Sequence, residues 1–157
     1  MEKIIEKFYL ENPSMERKND VIEYMNEHVK YNSAINGTGS FDHVLEDETY
    51  EECMDRYYKI QDNEYAKSID RCPGKTYFLI RKNDNKLIGM INIRHHLTPK
   101  MLVHGGHIGY GIRPTERRKG YNKINLYLGL LKALEEFNLD KVMLDCDVKN
   151  LGSDKTI

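Results

Sequence analysis

The chain has 157 residues, 39% hydrophobic and 31% charged, enough apolar mass for one core and an expected single domain over residues 1–157. Its net charge of −1 carries no electrostatic footprint for nucleic acid or an anionic membrane, so neither is expected as a partner. No apolar run reaches membrane-span length and the opening MEKIIEK lacks a signal-peptide core. With three cysteines (Cys53, Cys72, Cys146) in no metal-type spacing, this predicts reduced thiols in a cytoplasmic protein.

Weak alternation from Lys3 to Leu10 suits a first strand. Asn12-Pro13 then reads as a helix start, Asn as N-cap and Pro at the first helical position. Met15, Ile22, Met25 and Val29 carry helical spacing to about Lys30. Asn36-Gly37-Thr38-Gly39-Ser40 reads as a flexible joint. Glu48 to Glu64 is predicted as one helix, and Ser68 to Lys75 as a loop closed by Pro73-Gly74. Thr76–Arg81 and Leu87–Arg94 are apolar strands joined through Asn83-Asp84-Asn85, a hairpin pattern. A loop containing Pro99 leads to a strand over His107–Ile112. The helix that follows carries Ile124, Leu128, Leu131 and Leu134 as its apolar stripe. Leu139-Asp140 ends it, and Lys141 to Val148 reads as a strand with Val142, Leu144, Cys146 and Val148 on one face.

The segment His107–Phe137, HIGYGIRPTERRKGYNKINLYLGLLKALEEF, carries the most chemistry. It passes from an apolar strand through a proline and a basic glycine turn into an amphipathic helix. Such a helix start presents unpaired N–H donors and partial positive charge, a ready seat for phosphate or pyrophosphate. Gly120 lets the backbone come close to the anion, and Arg113, Arg117, Arg118, Lys119 and Lys123 add positive field. Gly109 and Gly111 within the strand suit a β-bulge.

In these residues the chain resembles the GNAT superfamily of N-acetyltransferases. The family's pyrophosphate motif, Arg/Gln-x-x-Gly-x-Gly/Ala, is matched by Arg117-Arg118-Lys119-Gly120-Tyr121-Asn122, preceded by Ile112-Arg113-Pro114. Asn122 departs from it, standing where Gly or Ala is usual; its amide either crowds the phosphates or donates to them. The resemblance implies an α/β fold (a mixed α+β sheet) with two central parallel strands, here His107–Ile112 and Lys141–Val148, splayed to admit the pantetheine arm of acetyl-CoA. It further implies that the backbone near Tyr110 and Ile112 bonds that arm and that Asn150 touches it from the other side. The order strand, two helices, three strands, helix, strand follows the family as far as its fifth strand. Only Asn150 to Ile157 then remain, so the closing helix is expected to be incomplete and the last strands absent, leaving an edge that a homodimer could complete.

The activity implied is transfer of an acetyl group from acetyl-CoA to a primary amine of a small molecule, peptide or lysine, by direct attack. A non-catalytic CoA-binding or oligomerisation module is the alternative, and a different phosphate ligand at the same turn is a third reading. An amine must be neutral to attack, so a base or a water relay must take its proton. Candidates are His107, whose ordinary pKa lies near neutrality, and Asp145, with Asp147, His95 and His96 behind them. His95, His96, His104 and His107 match no standard metal spacing, and no metal is expected. Seven acids between Asp42 and Asp55, with no Lys or Arg among them, suit either a cationic acceptor or a solvated helix face.

Overall fold

The computed structural model describes residues 2–144. Its centre is a four-stranded antiparallel sheet in the order β1-β2-β3-β4, formed by β1 (Phe8–Glu11), β2 (Gly74–Arg81), β3 (Lys86–Arg94) and β4 (Ile108–Ile112). Three pairings fix the register: Leu10 faces Leu79, Tyr77 faces Ile91, and Ile91 faces Tyr110. Both faces of the sheet are covered. Phe78, Ile80, Leu87 and Met90 pack under α2 (Lys18–Lys30) and α3 (Tyr50–Lys59) through Val21, Tyr24, Met25, Tyr50, Met54 and Tyr57. On the other face Tyr77, Ile91, Ile93, Ile108 and Tyr110 meet α6 (Tyr121–Phe137) through Leu126 and Ala133, while Phe8, Leu79, Ile88 and Ile112 meet Ile124. Coverage on both sides explains why β2 and β3 read as unbroken apolar runs.

The bulge expected at Gly109 and Gly111 lies elsewhere. Pairing steps from Leu79–Gly89 to Ile80–Leu87, so β3 carries the extra residue, while β4 pairs with β3 without a shift. The step moves Leu87 and Met90 to the face of α2, and Ile88 and Ile91 to the face of α6.

Several boundaries differ from the sequence reading. Residues Glu2–Ile5 form the short helix α1, and strand geometry starts only at Phe8. Asn12 is not a helix cap: a 3₁₀ turn over Met15–Arg17 follows Ser14, and α2 starts at Lys18. The buried face of α2 is Val21, Tyr24, Met25 and His28, whereas Met15 and Val29 are exposed. The single helix expected over 48–64 is two. A Thr49–Glu52 capping box starts α3, and Asp62, whose side chain accepts from Tyr65 N–H at 3.0 Å, starts α4 (Asn63–Ser68). The loop at Pro99 is a short helix, α5 (Pro99–Val103), capped by Thr98 with Pro99 in its first turn.

The stripe of α6 is also rotated. Its buried residues are Ile124, Asn125, Leu126, Gly129 and Ala133, while Leu131 and Leu134 are exposed. Gly129 sets this face, because a Cβ there would lie 2.2 Å from Ile91 Cδ1; the helix approaches the sheet along its smallest residue. Among the described residues no strand follows α6. Residues 141–144 are irregular, although His107 N–H donates to Met143 O at 2.8 Å and Leu139, Val142 and Leu144 pack on the α6 side of the core. The remainder of the expected Lys141–Val148 strand lies outside the described residues, as do Asp145, Asp147 and Asn150. The sheet described is therefore wholly antiparallel, and the second central parallel strand is not part of it.

Candidate functional site

The turn between β4 and α6 is pinned from below by ion pairs of the buried residues Arg113 and Glu116. Arg113 was expected to add field at this turn, but it is only 2% exposed and points into the protein. Its Nη1 donates to Glu23 at 3.2 Å, its Nε stands 3.4 Å from Glu27, and the guanidinium lies 5.7 Å from the Tyr24 ring centre. Glu27 also accepts from the Thr115 N–H (2.8 Å) and hydroxyl (2.6 Å). Glu116, 6% exposed, accepts from Arg81 and Lys119, each at 2.9 Å, with Lys86 at 3.9 Å. Arg113 is thus an anchor, and Lys119 is tied to a carboxylate.

Burial alone raises the Glu116 carboxyl pKa, but its bonds to Lys119 and Arg81 outweigh that and hold it below the ordinary 4.5. A lowered folded pKa means that the stabilisation is complete above the ordinary value and is lost as pH falls through the folded one. Glu116→Gln should destabilise the fold at neutral pH by about 1.5–3 kcal/mol and flatten the acid limb of the stability curve. Urea melts at neutral and acidic pH check both; an equal loss at the two pH values would contradict the ion-pair account.

Above these anchors the turn is open. Arg117, Arg118, Lys119 and Gly120 are exposed, and Arg118 (φ 64°) and Gly120 (φ 80°) are both left-handed. Arg117 Nε donates to Ile112 O at 2.9 Å, which holds its guanidinium beside the end of β4. No side chain caps α6 and no acidic residue lies in its first turn. Among the described residues no acceptor meets the N–H groups of Arg118, Lys119 or Gly120. A Cβ at Gly120 would meet nothing within 4 Å. Open N–H donors, a helix N-terminus and surrounding cations suit an anion.

Asn122 leaves this space clear. Its Oδ1 accepts from Asn125 Nδ2 at 3.4 Å, so the side chain folds back along the helix instead of over the turn. Asn125, fully buried, also donates to Met90 O (3.0 Å) and Gly111 O (3.5 Å), tying the helix to β3 and β4. Sequence reading passed over Asn125; a polar residue on the core face of α6 was the available signal. The Tyr121 ring packs 4.8 Å from Phe8, with Lys119 Nζ 5.9 Å from its centre.

Along β4, Ile108, Tyr110 and Ile112 point into the α6 side of the core. Gly109 and Gly111 face the other way, where the segment Asn36–Gly37 crosses the strand. A Cβ on Gly111 would lie 2.8 Å from Asn36 O, and one on Gly37 would lie 2.5 Å from Tyr110 Cα. The glycines of this strand make room for a loop.

His107, at the start of β4, accepts at Nδ1 from Met143 N–H at 2.9 Å. A neutral imidazole has one acceptor nitrogen, so the ring carries its proton on Nε2 and has no lone pair left for an amine. Burial and then the charge of Arg94 lower its pKa, which also favours this neutral form. The geometry makes His107 a joint between the start of β4 and residues 141–144, and speaks against its expected role as base.

Six of the seven acids between Asp42 and Asp55 have partners. Asp42 takes the Thr38 hydroxyl, Glu46 pairs with His43, Glu48 with Arg56, Glu51 with Lys18 and Asp55 with Lys59, while Glu52 caps α3. Lys18, Arg56 and Lys59 offset part of the charge of this segment. The histidine quartet does not assemble as a metal centre among the described residues: His95 Nδ1 lies 2.8 Å from His96 Nδ1, and the His95 ring stacks on Phe137. His43, Glu46 and Asp47 do converge at the surface, with ligand atoms within 4.8 Å of one another.

The fold and this turn fall within a known class. The model of the acetyltransferase (GNAT) domain family matches residues 10–157, and the chain belongs to that family. A solved structure from Vibrio cholerae, described as a "putative ribosomal-protein-serine acetyltransferase", is similar to this chain with a TM-score of 0.58. It is 15% identical over 96% of this chain and 76% of that one, a likeness of fold alone. No curated protein matches by sequence. Membership makes this a domain for acyl transfer, carried on an α/β fold. No helix among the described residues is long and apolar enough to cross a membrane.

Proposed function

We propose that this chain transfers an acetyl group from acetyl-CoA to a primary amine by direct attack, with the β4–α6 turn as the pyrophosphate seat. The observation that carries this reading is the uncapped N-terminus of α6, which follows the exposed residues Arg117 to Gly120 and whose N-cap glycine faces open space. The N–H groups of residues 118–122 and the Arg117 and Arg118 guanidinium groups would hold the diphosphate, while the main chain near Tyr110 and Ile112 would align the arm, with Asn150 opposite. The acceptor nitrogen attacks the thioester carbon, the C–N bond forms, and the C–S bond breaks to release the thiolate. The nitrogen's proton leaves through water, because the His107 lone pair is engaged, and a proton returns to sulfur.

Calorimetric titration with acetyl-CoA and with ADP tests the donor. Micromolar binding of acetyl-CoA, well tighter than ADP, is the expected result; equal affinity for the two would make the turn a general phosphate site. Release of CoA thiol in the presence of amines then separates an enzyme from a binding module. Arg117→Ala should weaken acetyl-CoA about tenfold at low salt and much less at high salt, as ionic screening requires. Titration at two salt concentrations checks this, and a salt-independent loss would point instead to the lost bond to Ile112.

A further inference from the structure

Arg94 ends β3 at the far end of β4 from the phosphate-binding turn, where its N–H donates to His107 O at 2.7 Å. Its Nη1 donates to Gly106 O at 2.9 Å and Gly105 O at 3.3 Å, both neutral carbonyls. Its Nη2 lies 3.3 Å from the point that a Cβ on Gly109 would occupy, and Gly37 Cα is 3.5 Å from that same point. The guanidinium therefore rests on the side-chain-free face of β4, beside the loop Asn36–Gly39.

What distinguishes Arg94 is that no carboxylate pairs with it among the described residues. Every other buried or half-buried arginine has a carboxylate within 4 Å: Arg17 has Glu11, Arg56 has Glu48, Arg71 has Asp42, Arg81 has Glu116 and Arg113 has Glu23. Arg94 has none among the described residues, and its Nε and Nη2 meet no acceptor there. Desolvation lowers its pKa, and Asp42 and the Cys72 thiol offset this only at longer range. A half-buried guanidinium bonded only to neutral carbonyls keeps donors open at its accessible edge, and a ligand carboxylate would pair with them through the two-pronged geometry arginine favours.

We infer that Arg94 seats a carboxylate of the acyl acceptor, so that the acceptor is an amine carrying its own anionic group, as in an amino acid, and not a polyamine. The inference rests on the acyl-transfer reading for the word acceptor; the carboxylate seat itself does not need turnover. A basic side chain with no carboxylate partner among the described residues sets this polarity.

Two measurements decide it. The first is phenylglyoxal labelling of Arg94 in the full chain, followed by peptide mass spectrometry, with a pool of free L-amino acids or a pool of their C-terminal amides. Labelling should slow at least about threefold with the acids and stay unchanged with the amides, given the strength of charge-assisted bonds to arginine. Equal labelling in the two pools overturns the inference, whether or not the protein is active. The second is CoA thiol release with single amino acids, their amides, and amidated dipeptides that begin with Asp or Glu. Acids should react with a KM about tenfold or more below the amides, Arg94→Gln should raise that KM with kcat little changed, and Arg94→Lys should restore part of it. Preference for the dipeptides over free acids would place the carboxylate on a peptide side chain and still support the seat. Acids and amides of equal KM would overturn it. Protection of Arg94 with no thiol release from any amine would sustain the seat and sink the acyl-transfer reading alone.

Discussion

Gly120→Glu should leave a folded protein that no longer binds acetyl-CoA, with affinity down by at least about a hundredfold. The fold survives for two reasons. The new Cβ meets no atom within 4 Å, and the left-handed φ of 80° costs an L-residue about 1–2 kcal/mol. A carboxylate at the first turn of a helix recovers about 0.3–1 kcal/mol of that cost, since α6 has no acidic residue there. The same carboxylate occupies the space that a diphosphate needs, accepts from the N–H groups that would bind it, and reverses the local charge. Gly120→Ala is the steric control and should bind within about tenfold of wild type, because it adds strain but no charge. The check is calorimetric titration with acetyl-CoA beside thermal melts of the three proteins. Retained affinity in the glutamate variant, with an unchanged melt, would remove the turn from the binding site.

The part of the candidate site that was legible in the sequence was the part built by local rules. A strand, a glycine turn and an amphipathic helix follow one another within about thirty residues, and each is set by neighbours in the chain. The hairpin of β2 and β3 was legible for the same reason. What failed depended on distant partners. The stripe on α6 was placed on its leucines because hydrophobicity was weighed without volume, whereas Gly129 lets the helix settle against Ile91 and turns Leu131 and Leu134 outward. Arg113 looked like its exposed neighbours Arg117 and Arg118, but Glu23, Glu27 and Tyr24, about ninety residues earlier in the chain, draw it inside. His107 was judged by its ordinary pKa, and only the approach of the Met143 N–H shows that its lone pair is in use. Gly109 and Gly111 suggested a bulge, yet the crossing loop that needs their missing side chains lies more than seventy residues away.

That crossing loop also links the two ends of the site. Arg117 holds the end of β4 through Ile112 O, Asn125 and the Tyr24 hydroxyl reach Gly111 O, and Asn36–Gly37 lies over Gly109 to Gly111. One short strand is thus gripped by the β4–α6 turn, by α2 and α6, and by the loop beside Arg94. On the proposed reading, a change at the loop would alter the acceptor side of β4 without disturbing the N–H donors at the α6 N-terminus, which depend on the Glu27 and Glu116 anchors instead.

Gly37→Ala tests this division and should be among the most damaging single-methyl changes in the chain. Gly37 has φ 76°, so any side chain there carries the left-handed cost of about 1–2 kcal/mol. Its Cβ would lie 2.5 Å from Tyr110 Cα, 2.7 Å from Tyr110 N and 2.9 Å from Gly109 C, all main-chain atoms that no rotamer change can move. Relief therefore requires the loop to lift from β4, adding about 1–3 kcal/mol of overpacking cost and a total near 2–5 kcal/mol. Gly39 provides a contrast: its Cβ would meet the Thr76 hydroxyl at 2.4 Å and the Asn92 side chain at 2.7 Å, groups that can rotate away. Gly39→Ala should therefore cost less, although its φ of 55° carries the same backbone strain. Urea midpoints order the three proteins, and acetyl-CoA titration below the midpoints separates fold from site. The expected pattern for Gly37→Ala is donor affinity within about threefold of wild type and acyl transfer down by about tenfold or more, because a misplaced acceptor loses its alignment with the thioester. Equal losses in binding and transfer would mean that β4 answers to the loop along its whole length, and that the two halves of the site move as one.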